Sequence, residues 1–590
     1  MKKLLWLPII ALSGCAAFTE QPSEPQQESI QTLQAAQKKE YPTRPFETDT
    51  LYNLLVAEVA GHRSQYDLAL ENYLAEARNT QDPWVAARAA RIAQYLNDTE
   101  AAAEAAEIWR EQDQENIHAH VAAATNWLKQ HKIVEAMSAI NDALEISPAI
   151  SLEQVYLSGK ELPEDKQTLL INELDQLIVK YPKHDRLIFT KALLLDDYNK
   201  LPEALEAMNE LAEITELTPP HYIMIAKVYA KMERPQESRD TLKDGWNAHL
   251  GDKTLGLLYS QTLIDEGKPD QARDILTQLR ESHPSDHEIL ITSAMLEAEL
   301  GNNAEAKALF TEATKGPQRD SAWHFLGRIY EQEQQLDKAI NAYENVTGGQ
   351  NYISSLTRAI TLTQETKDLK SAREYARTLH SMHPQEAPRL IQIEAELVKE
   401  SGDLASAKTL YDEALTLEPQ DSNLLYGRAM LAEQMNNLEA MEKDLRTIIQ
   451  QNPNNSIALN ALGYTLADRT DRLDEALKLI EKAFILNPND PAVIDSLGWV
   501  HYKKGNLKEA EALLTKAFSL FPDQEVAAHL GEVLWVQNKK NDAIKVWVAG
   551  LKQDPNGKIL LKTLKKYGVD VTHTTEEQLN QQESQSTPKE

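Results

Sequence analysis

The stretch DSAWHFLGRIYEQEQQLDKAINAYENV, Asp320 to Val346, carries the pattern on which most of the chain is built. Trp323, Leu326, Gly327 and Tyr330 mark the face of one helix. Ala339, Tyr343 and Val346 mark the face of a second, so the spacing is W-x2-L-G-x2-Y-x8-A-x3-Y-x2-V. Two helices that pack as an antiparallel pair need small residues where their backbones approach and large ones beside the crossing. Gly327 and Ala339 are the small residues; Trp323, Tyr330 and Tyr343 are the large ones. The same register returns in Leu497, Gly498, Ala510, Leu514, Ala517 and Pro522, and again in Leu530, Gly531, Ala543, Trp547, Gly550 and Pro555. Half of it returns in Ala407, Tyr411, Ala414 and Pro419.

The closing proline sets the period. Pro384, Pro419, Pro453, Pro488, Pro522 and Pro555 are separated by 35, 34, 35, 34 and 33 residues, Pro148 and Pro182 by 34, and Pro284 and Pro317 by 33. Proline cannot continue a helix, and it turns the preceding residue away from helical backbone. Gly301-Asn302, Gly402-Asp403 and Gly505-Asn506 are turn signals between the two helices of a unit. No segment has the alternation of a strand. A period of this length resembles the tetratricopeptide repeat, and it predicts an all-α, right-handed superhelical solenoid over 49–555, of about fifteen helix pairs, several degenerate. Unit 149–182 is the weakest copy, because Ser158-Gly159-Lys160-Glu161-Leu162-Pro163 shortens its first helix to roughly nine residues. It reads either as drift or as a joint. In unit 219–250, Ser238 stands where the usual alanine would be. Residues 556–570, with the amphipathic Lys558–Tyr567, read as the capping helix that an exposed solenoid end needs.

The ends speak to location. Lys2-Lys3 and the apolar run Leu4–Leu12 read as a signal peptide, residues 1–14, too short to span a bilayer. Leu12-Ser13-Gly14-Cys15 resembles the bacterial lipobox, which implies cleavage before Cys15 and lipidation of its thiol. Cys15 is the only cysteine, so no disulfide can form within the chain, and lipidation would leave no free thiol. Ala16, in place of an aspartate, implies by the sorting pattern of such lipoproteins the periplasmic face of the outer membrane. Residues 15–48 read as a lipidated cysteine and flexible tether, spanning roughly 30 Å root-mean-square. Within it, Ile30 and Leu33 give Glu28–Lys39 the spacing of a short helix, either transient or a docking helix for a partner. Residues 571–590 read as a disordered tail.

The formal charge is 61 − 91 = −30. Nucleic acid would require a basic stripe, and the one basic cluster, Lys558 to Lys566, is short and terminal. We find no nucleophile elbow, phosphate loop or zinc-protease motif. His118 and His120, two residues apart, diverge on a helix, and the pair His380/His383 ends a helix at Pro384, so neither reads as a metal site. The sequence therefore offers no catalytic residues, no metal, no cofactor, no nucleic acid and no small-molecule substrate.

In tetratricopeptide repeats the concave lining comes mainly from the first helix, at positions 2, 5, 9 and 12 when the glycine is position 8. Projected here, the groove holds Asn460, Tyr464, Asp495, Trp499, Tyr502 and Trp535, with Arg428, His324 and Arg328 on earlier units. Aromatic residues with a polar handle beside asparagine and arginine suit protein partners. Trp499 and Trp535 have a second reading, as packing against neighbouring repeats or the tail. Asn460 has no lysine partner and Asp495 sits nearby, which argues against a carboxylate clamp.

Leu54–Ala93, LLVAEVAGHRSQYDLALENYLAEARNTQDPWVAARAARIA, is less generic than the later units. With the lipobox and the all-repeat body, the chain resembles the outer-membrane tetratricopeptide lipoproteins that partner a periplasmic carboxy-terminal processing protease in pseudomonads and relatives. The resemblance implies a non-enzymatic adaptor that binds the protease and its substrates, peptidoglycan cross-link hydrolases. The alternative is a structural scaffold for an envelope assembly or polysaccharide export complex.

Overall fold

A computed structural model describes residues 47–569. The chain is all-α: 31 helices run from Thr48–His62 to Lys558–Tyr567, and no strand occurs among the described residues. The fifteen pairs and one last helix follow from two local rules that the sequence repeats.

The first rule governs the turn from the first helix of a pair (helix A) to the second (helix B). In twelve of the fifteen turns a residue with positive φ closes helix A, as at Asn97 (58°), Gly301 (82°) and Gly505 (83°). The amide after it then reaches back to the carbonyl five residues earlier, as from Asn506 to His501 at 2.9 Å and from Lys132 to Trp127 at 2.9 Å. This satisfies carbonyls that the helix end would otherwise leave open. Glycine takes that backbone freely and asparagine tolerates it.

The second rule governs the return from helix B to the next helix A. In ten of the fifteen returns a proline follows the end of helix B, and in five of those ten an aspartate or asparagine one or two residues later caps helix A. After Pro419, Asp421 accepts from the Leu424 amide at 2.8 Å; after Pro453, Asn455 accepts from Ala458 at 3.0 Å; after Pro488, Asp490 accepts from Ala492 at 2.9 Å. Each such cap is worth about 1 kcal/mol of helix stability.

The described residues fall into two units, one through Ala322 and one from Trp323. In the first, one apolar core runs from Ala57 to Val228. The weak copy has a helix A of seven residues, Glu153–Gly159, shorter than the sequence suggested. The core nevertheless passes through it without a break, by way of Leu152, Val155, Leu162 and Leu170. Ser238 meets the close helix crossing with its hydroxyl, which donates to the Ala226 carbonyl at 2.8 Å.

In the second unit the repeat glycines mark the tightest crossings. A Cβ on Gly327 would lie 2.6 Å from the Tyr343 ring, on Gly498 2.7 Å from Leu514, and on Gly531 2.0 Å from Trp547 Nε1. Real side chains do not approach so closely, so these positions admit glycine and little else. The last helix, Lys558–Tyr567, buries Leu560 and Leu564 and brings Tyr567 against Trp535 and Trp547. No helix among the described residues is long and apolar enough to cross a membrane. The signal peptide, Cys15, Ile30, Leu33 and the tail 571–590 lie outside the described residues.

Candidate functional site

Within the second unit, a cleft of about 1010 Å³ lies between three successive A helices and the last helix, and Tyr426, Met430 and Glu433 of the preceding A helix, Ser422–Gln434, also line it. The three are Ser456–Arg469 (the Gly463 helix), Pro491–Lys503 (the Gly498 helix) and Gln524–Val536 (the Gly531 helix). Asn460, Tyr464 and Asp468 descend the first at four-residue intervals. Ala492, Asp495, Ser496 and Trp499 line the second, Glu525, His529 and Glu532 the third, and Lys562 and Lys566 the last. Counted with glycine as position 8, the residues just named on the three A helices occupy positions 2, 5, 6, 9 and 13.

Position 12 of the projected groove therefore falls outside this cleft. Tyr502 and Trp535 do not line the cleft. Trp535 is held by Trp547 (5.4 Å between ring centroids) and Tyr567 (5.7 Å), so the last helix covers it. The Tyr502 hydroxyl donates to Glu532 at 3.0 Å, and Lys566 shares that carboxylate at 2.6 Å. Asn460, Tyr464, Asp495 and Trp499 do come together in the cleft.

A polar network forms its floor. His529 Nδ1 donates to Asp495 at 2.9 Å, and both residues are almost wholly buried. Tyr464 donates its hydroxyl to Glu525 at 2.7 Å, and its oxygen lies 3.5 Å from His529 Nε2. Trp499 stacks on the His529 ring at 4.0 Å and donates its indole NH to Asp468 at 3.2 Å. Trp499 is thus a wall of the cleft, fixed from both neighbouring repeats. Burial opposes protonation of His529, but the Asp495 charge and hydrogen bond, with Glu525 and Asp468 behind them, raise its pKa above the ordinary value. Burial and the adjacent Glu525 push the Tyr464 phenol well above its ordinary value, so it stays a donor. The Asn460 carboxamide oxygen is buried and takes no hydrogen bond from the protein.

Arg428, His324 and Arg328 lie outside this cleft. Arg428 ties three helices together: Nε and Nη2 reach both oxygens of buried Asp444 at 2.8 Å, and Nη1 reaches Asp412 at 2.7 Å. These carboxylates raise its pKa. His324 shares a hydrogen bond with the Ser355 hydroxyl at 2.9 Å, and burial lowers its pKa to about 4. Arg328 is half-buried near Glu331 and Tyr343, and burial lowers its pKa too. Among the described residues no cluster of histidine, cysteine, aspartate and glutamate is disposed to hold a metal. His120 instead contacts the Gln114 carbonyl at 2.8 Å.

Sequence reasoning missed His529, Glu525, Asp468 and Lys566. The first three sit at positions 6, 2 and 13 of well-formed repeats, so the glycine register that found Asn460 also reaches them. Lys566 needed the last helix to be placed as one more A helix.

A tetratricopeptide repeat profile matches residues 260–319, 291–350 and 496–558. A TPR repeat-containing protein of Pseudomonas aeruginosa is 35% identical over 527 residues, which cover 89% of each chain. This chain belongs to the tetratricopeptide-repeat protein family. Cellulose synthase operon protein C of Pseudomonas fluorescens is 23% identical over 321 residues, 50% of this chain and 25% of that one. Similar solved structures include a thermophilic TPR protein of Thermus thermophilus (22% identity, 31% of this chain and 97% of that one, TM-score 0.28). Another is Naa15/Naa10 bound to HypK-THB (14% identity, 91% and 97%, TM-score 0.38). As a tetratricopeptide-repeat protein, the chain is a scaffold for protein–protein interaction.

Proposed function

We propose that this tetratricopeptide-repeat protein is a lipid-anchored, non-catalytic adaptor at the periplasmic face of the outer membrane. It presents periplasmic proteins, cell-wall hydrolases among them, to a carboxy-terminal processing protease. The observation that carries the binding role is the cleft, whose polar floor is pre-organised and whose rim exposes Ile457 and Phe521. Support for the location comes from Leu12-Ser13-Gly14-Cys15, and for the partner from the resemblance of Leu54–Ala93 to adaptors of that protease. Holding protease and substrate on one chain replaces a bimolecular encounter with a high effective concentration.

The test is a pull-down from detergent-solubilised envelopes. Recovery of a soluble protease with cell-wall hydrolases supports the adaptor. Deletion of 16–48, which removes Ile30 and Leu33, should abolish protease retention if that segment docks; undiminished retention makes it a tether. Proteolysis by the purified chain that survives stringent purification would end the non-catalytic reading.

The second reading is a scaffold for an envelope assembly or polysaccharide export complex. The similarity to cellulose synthase operon protein C over half of this chain favours it. Recovery of a β-barrel or exporter, without a protease, would decide for that reading.

A further inference from the structure

We propose that the cleft of the second unit receives a cationic segment of its partner protein, a lysine or arginine flanked by apolar residues. The inference rests on the reading of this cleft as a partner-binding surface and names the chemistry it selects. Seven carboxylates line the cleft against Arg469, Lys562 and Lys566, a formal balance of 3 − 7 = −4, or −3 with His529 protonated.

The cations present are largely committed. Arg469 meets Glu433 at 2.8 Å and Asp468 at 3.3 Å, and Lys566 meets Glu532 at 2.6 Å. Among the described residues no lysine or arginine pairs with Glu525; it accepts from the neutral Tyr464 phenol, with His529 behind that hydroxyl. The Asn460 oxygen, one turn before Tyr464 on the Gly463 helix, adds an acceptor that no protein donor fills. A lysine ammonium or arginine guanidinium supplies donors alone and matches this run of acceptors. An acidic segment would meet like charge.

The apolar part of the segment follows from the rim. Ile457 is 61% exposed, Phe521 57% and Ile559 38%, and all three line the cleft mouth. They cover the aliphatic stem of a lysine or the neighbouring apolar side chains. The whole chain, at −30, attracts such a segment from a distance, while the cleft supplies the contacts that hold it.

Fluorescence anisotropy with a labelled peptide alternating lysine and isoleucine, set against its glutamate counterpart, tests this. Glu525→Gln keeps an oxygen for the Tyr464 hydroxyl and removes the charge. It should weaken the lysine peptide about tenfold, as should raising salt from about 50 to about 300 mM. Asn460→Leu should weaken it as well, and Glu107→Gln, on an exposed surface of the first unit, should leave it unchanged. Circular dichroism confirms that each variant folds. Equal binding of the glutamate peptide, or equal loss in Glu525→Gln and Glu107→Gln, overturns the proposal in favour of diffuse attraction to an acidic chain. Failure of the lysine peptide while full-length partners are still retained in the envelope pull-down ends the cationic-segment proposal and leaves the adaptor standing. Failure of both ends both.

Discussion

Gly531→Ala asks how much of the cleft depends on one missing methyl group. An alanine Cβ there would sit 2.0 Å from Trp547 Nε1, against an ordinary carbon contact of about 3.5 Å. The indole must therefore move by about 1.5 Å. It has little room: Trp547 is fully buried, with Trp535 at 5.4 Å and Tyr567 at 6.0 Å between centroids. Overpacking of this kind costs about 1–3 kcal/mol, and the rigid ring on a stacked neighbour places it at the upper end. Alanine returns about 1 kcal/mol through its better helix propensity. The expected balance is a loss of about 2 kcal/mol, confined to the end of the chain, because each repeat of a solenoid feels mainly its neighbours. Hydrogen exchange should show faster amide exchange in 524–569 and little change before it. Since the last helix carries Lys562 and Lys566 into the cleft, peptide binding should fall with it. A Gly531→Ala protein that is more stable than the parent, or equally protected over 558–567, would refute the reasoning, because helix propensity would then have outweighed packing.

Other outcomes follow from the same kind of accounting. Arg428→Ala leaves Asp444 buried without its guanidinium and should destabilise by about 3–5 kcal/mol, read from urea unfolding of the second unit. Gly505→Ala, at φ 83°, should cost about 1–2 kcal/mol, while Glu233→Gly, at φ 58°, should be neutral or stabilising in thermal melts. Burial lowers His221 to about 4, so its unfolded form binds a proton that the folded form refuses. Stability there falls as pH drops below about 6.5, by about 2 kcal/mol at pH 5, and a His221→Gln protein should lose that slope. His529, with its raised pKa, has the opposite sign: its contribution is present below its unfolded value and is lost as pH rises through the folded one. Exchange protection near 529 should therefore increase on mild acidification while protection near 221 declines.

The helix pairs were legible because their rules are local. Proline, left-handed turn residues and small crossing residues act within one or two repeats, and each leaves a mark at fixed spacing. The caps at Asp421, Asn455 and Asp490 are equally local, each two residues after a proline. The cleft was half legible. Asn460, Tyr464, Asp495 and Trp499 follow from the glycine register, but the side each residue presents depends on which neighbour claims it. Trp535 carried two readings, anchor or packing against its neighbours, and Tyr567 of the last helix, a contact that no single repeat encodes, favours packing. Arg428 occupied a groove position yet was taken by Asp412 and Asp444, sixteen residues away on either side. Pairing choices of that kind are made between repeats, where periodicity is silent.

The two kinds of joint differ in one respect that bears on how such a chain changes length. Thirteen of the fifteen A–B connections are three residues long, whereas the B–A connections range from two residues, between Thr80 and Pro83, to seven, between Glu344 and Tyr352. An added residue in an A–B turn would carry helix B about 100° around its axis and swing its alanines out of the crossing. The same residue between pairs leaves every hairpin intact. Growth, loss and engineered insertion are therefore channelled to one side of the repeat, and 345–351 is the natural place to seat a fluorescent tag without disturbing what is packed on either side.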